Sequence, residues 1–217
     1  MARLDPPGSG LSAPRSSERA GFVLYLEGPR DRGVLEAWSR RLQPGGTRRV
    51  FEASVILGGR QPARALEHFR RLGGSEGGLR GLCVLDRDDG PAAEPVDGVE
   101  PGLEFFTWGR RHIESYLLVT AAILRTLRLR EDDPRVERAL RDHLPPERDE
   151  QAWRDLDAKR LLAPGGPLPR ALGVEVRPAS IARSMRPAEL HADVLACFAR
   201  LRSASGAPAP PRVLRLL

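Results

Sequence analysis

Lysine is almost missing from this 217-residue chain. Of its 35 basic residues only Lys159 is a lysine, which leaves 34 arginines. With so much Ala, Gly and Pro, that bias reads as genome composition and not as adaptation. Against it, a retained lysine is a candidate for a role that arginine cannot fill, since an ammonium is a compact point charge and a guanidinium a planar fork. Cysteine is nearly as scarce. Cys83 falls in an apolar strand pattern and Cys197 in an apolar helix pattern; two distant thiols exclude a disulfide scaffold and a zinc site. Aromatic residues are few and not interleaved with basic ones, so no stacking platform for single strands is indicated. No apolar run is long enough to span a bilayer, and the first residues lack the basic-then-apolar layout of a secretory signal. A cytoplasmic location and no membrane partner are therefore expected. A phosphate loop of the Gly-x-x-x-x-Gly-Lys type is absent, as is any internal repeat.

What is present is a net charge of +6, which suits a polyanionic partner. The charge is dispersed: Arg40-Arg41, Arg48-Arg49 and Arg70-Arg71 are separate pairs that read as solvated helix edges. Arg110-Arg111 adjoins the acidic segments below and is the pair expected to meet nucleic acid. The length suits one domain with a real core and a small helical appendage.

Strand and helix patterns alternate in the first half. Phe22–Leu26 reads as a strand, Arg30–Leu42 as a helix, Val50–Leu57 as a strand and Pro62–Leu72 as a helix with Pro near its first turn. Leu82–Asp86 and Leu103–Trp108 are two further strands, separated by a loop, Pro91–Gly102. This order implies a parallel sheet with right-handed crossovers. From Ile113 the pattern turns helical: one helix through Leu124, then Arg135–His143, Gln151–Leu162 and Pro187–Leu201. The layout expected is a disordered lead over 1–19, an α/β core over 20–125, a helical extension over 126–202 that completes the site, and a flexible tail over 203–217.

The chemistry lies at the strand ends. The apolar run Leu82 to Leu85 stops in Asp86-Arg87-Asp88-Asp89, and Gly90-Pro91 breaks the chain. In an extended strand, residues two apart project the same way, so Asp86 and Asp88 would point together and Arg87 away. Two carboxylates that close raise each other's pKa, and a divalent cation removes the penalty. The first strand ends in Glu27-Gly28-Pro29-Arg30-Asp31. Glu27 sits at its carboxyl end, where open α/β sheets place ligands; Asp31, taken alone, reads as a helix cap. In Arg110-Arg111-His112-Ile113-Glu114-Ser115-Tyr116-Leu117-Leu118, Glu114 falls on an apolar helix face. A carboxylate there is costly unless metal-bound or paired with one of the many arginines.

Together these segments resemble the Toprim domain, in its OLD-nuclease branch. The matching residues are Glu27 with Asp31 after the first strand, Asp86-Arg87-Asp88 as an Asp-x-Asp motif, and Glu114 in a stretch similar to the family's Glu-Ile-Glu-Asn-Tyr-Leu signature, with His112 where that signature opens on Glu. Val55-Ile56-Leu57-Gly58-Gly59-Arg60 resembles the Gly-rich end of the family's second strand. The likeness covers roughly residues 20 to 200. It implies a Toprim-like parallel sheet flanked by helices, with a C-terminal helical extension. It also implies two Mg²⁺ or Mn²⁺ ions about 4 Å apart held by Glu27, Asp86, Asp88 and Glu114, with Asp31 direct or through water. Lys159 resembles the lysine such nucleases carry after the Glu motif.

The expected function is a two-metal nuclease acting on DNA or RNA, with Glu27 and Lys159 catalytic and Arg110 and Arg111 touching the nucleic acid. The same resemblance, to standalone Toprim proteins of phage defence, implies a separate ATPase partner of the ABC/SMC-like type; homodimerisation is left open. Three alternatives remain. One is a non-catalytic Toprim-like subunit, suggested by His112. The second is a haloacid-dehalogenase-type phosphotransferase, against which stand the two strands preceding Asp86-x-Asp88. The weakest is a glycosyltransferase whose Asp-x-Asp holds a nucleotide-sugar metal.

Overall fold

In a computed structural model of the chain, residues 21–42, 48–88, 100–130, 133–146 and 148–206 are described. The expected disordered lead, most of the expected tail and most of the Pro91–Gly102 loop lie outside them.

Four short runs rich in apolar residues form one sheet. They are β1 (Phe22–Leu26), β2 (Val55–Ile56), β3 (Arg80–Leu85) and β4 (Leu103–Thr107), in the spatial order β2-β1-β3-β4. Every neighbouring pair is parallel. A parallel sheet needs cover on both faces, and the strand alternation supplies two apolar sides. Leu24, Leu26, Leu82, Val84 and Phe106 pack on one side against Val34, Leu35 and Trp38 of α1 (Pro29–Leu42) and against more C-terminal helices. Val23, Tyr25, Cys83, Leu85 and Leu103 pack on the other against Ala65, Leu66 and Phe69 of α3 (Pro62–Arg71). Gly81 lets Phe69 come that close: a Cβ there would meet Leu103 at 2.8 Å and Phe69 at 3.1 Å.

The second strand is shorter than the sequence pattern suggests. Arg48–Glu52 is a helical turn, α2, and only Val55–Ile56 joins the sheet. Phe51 fills the core from that turn. An apolar run can serve a core from either backbone form, and packing decides between them.

The remaining elements are helical: a 3₁₀ turn at Ile113–Leu117, α4 (Thr120–Leu127), α5 (Pro134–His143), α6 (Glu150–Asp155), α7 (Ala158–Leu161), α8 (Pro167–Leu172), α9 (Pro178–Ser184), a 3₁₀ turn at Pro187–Glu189, and α10 (Ala192–Ser205). Three long helices of the sequence reading are thus each two pieces. The first breaks at Val119, in extended backbone. The second breaks at Asp157, which caps α7 by accepting the Arg160 N–H. The third breaks at His191, whose ring accepts the Asp193 N–H. Helices α8 and α9 were not foreseen; each opens on a proline in its first turn, and Gly173 ends α8 in the left-handed region. One continuous apolar core joins the sheet to α4, α9 and α10, and the Trp38 indole donates to the Met185 sulfur at 3.3 Å. No described helix is long and apolar enough to cross a membrane.

Candidate metal centre

Strands β1 and β3 are neighbours and parallel, so the residues after them emerge side by side. Glu27 follows β1 and Asp86 follows β3. Their loops are tied together: the Asp86 backbone N–H donates to Glu27 Oε1 at 2.8 Å. From the loop after β2, the Gly58 and Gly59 N–H groups donate to the Glu27 carbonyl at 2.9 and 3.1 Å. Both glycines have positive φ, +83° and +124°, a turn that a side chain would strain. That turn delivers Arg60, whose guanidinium donates to the Asp86 carbonyl.

Asp86 is buried and both of its oxygens are engaged. Oδ1 accepts the Ile113 N–H at 3.0 Å. Oδ2 receives the Lys159 ammonium at 2.5 Å. Lys159 reaches Asp86 from α7, just after the break between α6 and α7. The chain's one lysine thus sits on one of the proposed ligands. Asp31, in the first turn of α1, is also buried and reaches back to accept the Gly28 N–H at 2.9 Å, so it both fastens the start of the helix and belongs to the cluster.

Glu114 is different. It rides on the 3₁₀ turn at 0 % exposure, and neither carboxylate oxygen has a hydrogen-bond partner among the described residues. Arg30 lies 3.6 Å away, an ion-pair distance too long for a hydrogen bond. The arginine pairing that the sequence left open is present, but loosely.

Asp88 departs from the strand-based expectation. Sheet pairing stops at Leu85, and Asp88 sits in a turn at φ +52°, its N–H donating to the Arg111 carbonyl at 3.2 Å. Its charge still raises the pKa of Glu27. Arg87 does point away, pairing with Asp155 at 2.6 Å and so linking the turn to α6. Arg110 is 13 % exposed: its guanidinium lies over the Tyr116 and Trp153 rings and pairs with Glu150 at 3.1 Å. Arg111 donates its backbone N–H to the Arg154 carbonyl at 2.8 Å. His112, to which the sequence reading gave no role, is buried, with Nδ1 lacking a hydrogen bond to any described residue and Asp157 3.8 Å away. Arg30 and Arg60 were missed as site residues; both lie inside the motifs that carry Glu27 and the Gly-rich turn, and that was the available signal.

The electrostatics follow from burial. Desolvation pushes Glu27 up to about 7, against the Asp86 N–H and with help from the Asp86 and Asp88 charges. It pushes Asp31 up to about 6, with Asp86 adding to the rise. It pushes Glu114 up to about 7, against the nearby dipole of its own backbone N–H and with Asp86 and Asp31 adding to the rise. Burial alone would lower Lys159, but its hydrogen bond to Asp86 and the Asp86, Glu114 and Asp31 charges hold it above the ordinary value. Burial also lowers His112, against the pull of Asp86. Carboxylates desolvated together and sharing few cations suit a hard divalent ion, and an all-oxygen donor set suits Mg²⁺ or Mn²⁺. The two unpartnered oxygens of Glu114 fit that use. As the side chains stand, no three His, Cys, Asp or Glu among the described residues enclose a single ion.

No family model matches this chain, and no curated protein matches it. Its fold is similar to a solved structure, the C-terminal region of the Burkholderia pseudomallei OLD protein, at a TM-score of 0.50 and 16% sequence identity, over 86% of this chain and 98% of that one. At that identity the likeness is one of fold. A Toprim-like parallel sheet with a helical C-terminal part describes both the expectation and the structure.

Proposed function

We propose that this chain is a divalent-metal-dependent nuclease whose centre is built by Glu27, Asp31, Asp86, Asp88 and Glu114. The observation that carries the reading is the burial of Glu27, Asp31, Asp86 and Glu114 at one end of the sheet, in a fold similar to the C-terminal region of an OLD protein. So many desolvated carboxylates are costly to a fold without a use for them. Glu27, Asp31 and Glu114 would hold Mg²⁺ or Mn²⁺, joined by Asp86 and Asp88. When bound, the metal would lower the pKa of an attacking water and neutralise the leaving oxygen. Lys159 would place its ammonium against the negative charge that develops on the phosphate. Arg111 would meet the nucleic-acid backbone, and Arg110 would hold the Tyr116–Trp153 wall beside it. A separate ATPase subunit, a role in phage defence and a cytoplasmic setting belong to the same proposal.

A second reading is favoured by one observation: both Asp86 oxygens are already taken, one of them by Lys159. In a non-catalytic subunit, Lys159 would be a permanent internal counter-ion and no metal would bind. One experiment separates the two. Purified protein is incubated with plasmid, linear DNA and tRNA in Mg²⁺ or Mn²⁺, beside Glu27→Gln. Metal-dependent cleavage lost in Glu27→Gln supports the nuclease; cleavage equal in both proteins, or none with any substrate, sinks it.

A further inference from the structure

We propose that Lys159 and Arg30 are placeholder cations, each occupying a carboxylate that the metal must take, and that metal binding releases the Lys159 ammonium toward the phosphate of the substrate. This rests on the metal-dependent reading above and specifies how the site is loaded. The Lys159 ammonium lies 2.5 Å from Asp86 Oδ2, and the Ile113 N–H holds the other oxygen. Each oxygen of Asp86 thus already accepts a donor, and a dication brought to Oδ2 would stand beside the ammonium and be repelled by it while that contact lasts. Arg30 stands 3.6 Å from Glu114, whose oxygens accept no hydrogen bond from the described residues. Its side chain is 44% exposed, so solvent can receive it when it leaves. Glu114 can therefore be taken with little loss, whereas Asp86 must first lose a charge-assisted hydrogen bond. Loading is an exchange of one cation for another, so Asp86 and Glu114 each keep a neighbouring cation.

The exchange also gives Lys159 a reason to be lysine. An ammonium on a flexible stem can leave one oxygen and reach another, while a guanidinium bound in its planar fork loses more geometry on moving. No bond is made or broken; a proton-bearing cation changes partner.

The test exploits composition. Lys159 is the only lysine, so amine-directed acylation with peptide mapping reads one side chain, and the N-terminal amine falls on another peptide. The wild-type chain is titrated with Mg²⁺ by calorimetry, and labelling is compared without Mg²⁺ and at saturation. The expected result is a several-fold rise in Lys159 labelling on Mg²⁺ binding. Binding heat with unchanged or reduced labelling overturns the exchange and leaves a metal-dependent nuclease standing. No binding at millimolar Mg²⁺ overturns both. A second arm compares Lys159→Met with Arg60→Met, which removes an equal charge beside Asp86 without vacating a carboxylate oxygen. Mg²⁺ should bind Lys159→Met several-fold more tightly than wild type, and clearly more tightly than Arg60→Met. Equal affinities in the two variants would make Lys159 a bystander charge and overturn the proposal.

Discussion

The strand side and the helix side of the acidic cluster are built on opposite plans. On the strand side, Glu27 and Asp86 are fastened: Glu27 takes the Asp86 N–H, and Asp86 takes the Ile113 N–H and the Lys159 ammonium. On the helix side, Glu114 is fully buried and accepts no hydrogen bond from the described residues, with Arg30 at ion-pair distance. Fastened carboxylates are positioned in advance; an unfastened one carries its desolvation cost until a cation arrives. The strand side therefore fixes where a cation goes, and the helix side supplies the drive for it to bind.

If that contrast holds, the largest effect comes from Lys159. Lys159→Met should lower the cleavage rate by roughly 10²–10³, the usual loss for one transition-state charge contact, while nucleic-acid binding persists. Lys159→Arg should rescue poorly, because the guanidinium is larger and spreads its charge. Steady-state cleavage of labelled DNA and RNA measures both; near-normal cleavage by the Arg variant would remove Lys159 from the mechanism.

The next two variants should move stability in opposite directions. Asp86→Asn strands the Lys159 ammonium. A fully buried pair broken this way costs about 3–5 kcal/mol; Lys159 is 37% exposed, so about 2 kcal/mol is expected, or roughly 4–8 °C in melting temperature. Glu114→Gln replaces an unpartnered charge with a neutral amide. It should stabilise the metal-free protein near pH 8 by roughly 1–2 kcal/mol, since one pKa unit is worth about 1.4 kcal/mol, and should weaken the stabilisation by Mn²⁺. Calorimetric melting with chelator and with Mn²⁺ reads both. Destabilisation by Glu114→Gln would mean that its ion pair with Arg30 outweighs its burial.

The strand side was also the legible side. The residues of β1, β3 and β4 show as apolar runs, and the acids that end β1 and β3 stand where parallel sheets gather ligands. β2 misled because Val50 and Phe51 are as apolar as strand residues yet pack from a helical turn. The helix side was legible only as composition. Apolar periodicity continues across Val119, Asp157 and His191, but the helices stop there; Asp157 is a capping residue, yet nothing local says that the helix it opens brings Lys159 to Asp86. That contact spans 73 residues, so it depends on tertiary packing. Lys159 could be singled out by its rarity, Arg30 and Arg60 could not, and the turn at Asp88 is set by a backbone bond to Arg111 that no spacing rule anticipates.

The smallest effect expected is on pH dependence, and it tests whether the cluster is desolvated at all. An acid whose folded pKa exceeds its unfolded value binds more protons folded than unfolded between the two, so stability falls as pH rises through that window. For Glu27 and Glu114 the window runs from 4.5 to about 7, and for Asp31 from 3.8 to about 6. His112 opposes them: its folded pKa lies below 6.5, so its contribution is lost as pH falls through 6.5. Lys159, raised above 10.5, contributes equally throughout. Three carboxylates outweigh one imidazole, so the metal-free protein should melt several degrees higher at about pH 5.5 than at about pH 8, at roughly 2–4 °C per kcal/mol. Glu114→Gln should shrink the rise, and His112→Gln should enlarge it. Saturating Mn²⁺ should invert the trend, because the bound ion holds the carboxylates ionised and protons compete with it. A metal-free melting temperature that stays level or drops on acidification would show the carboxylates to be hydrated, and the drive assigned to the helix side would have no source.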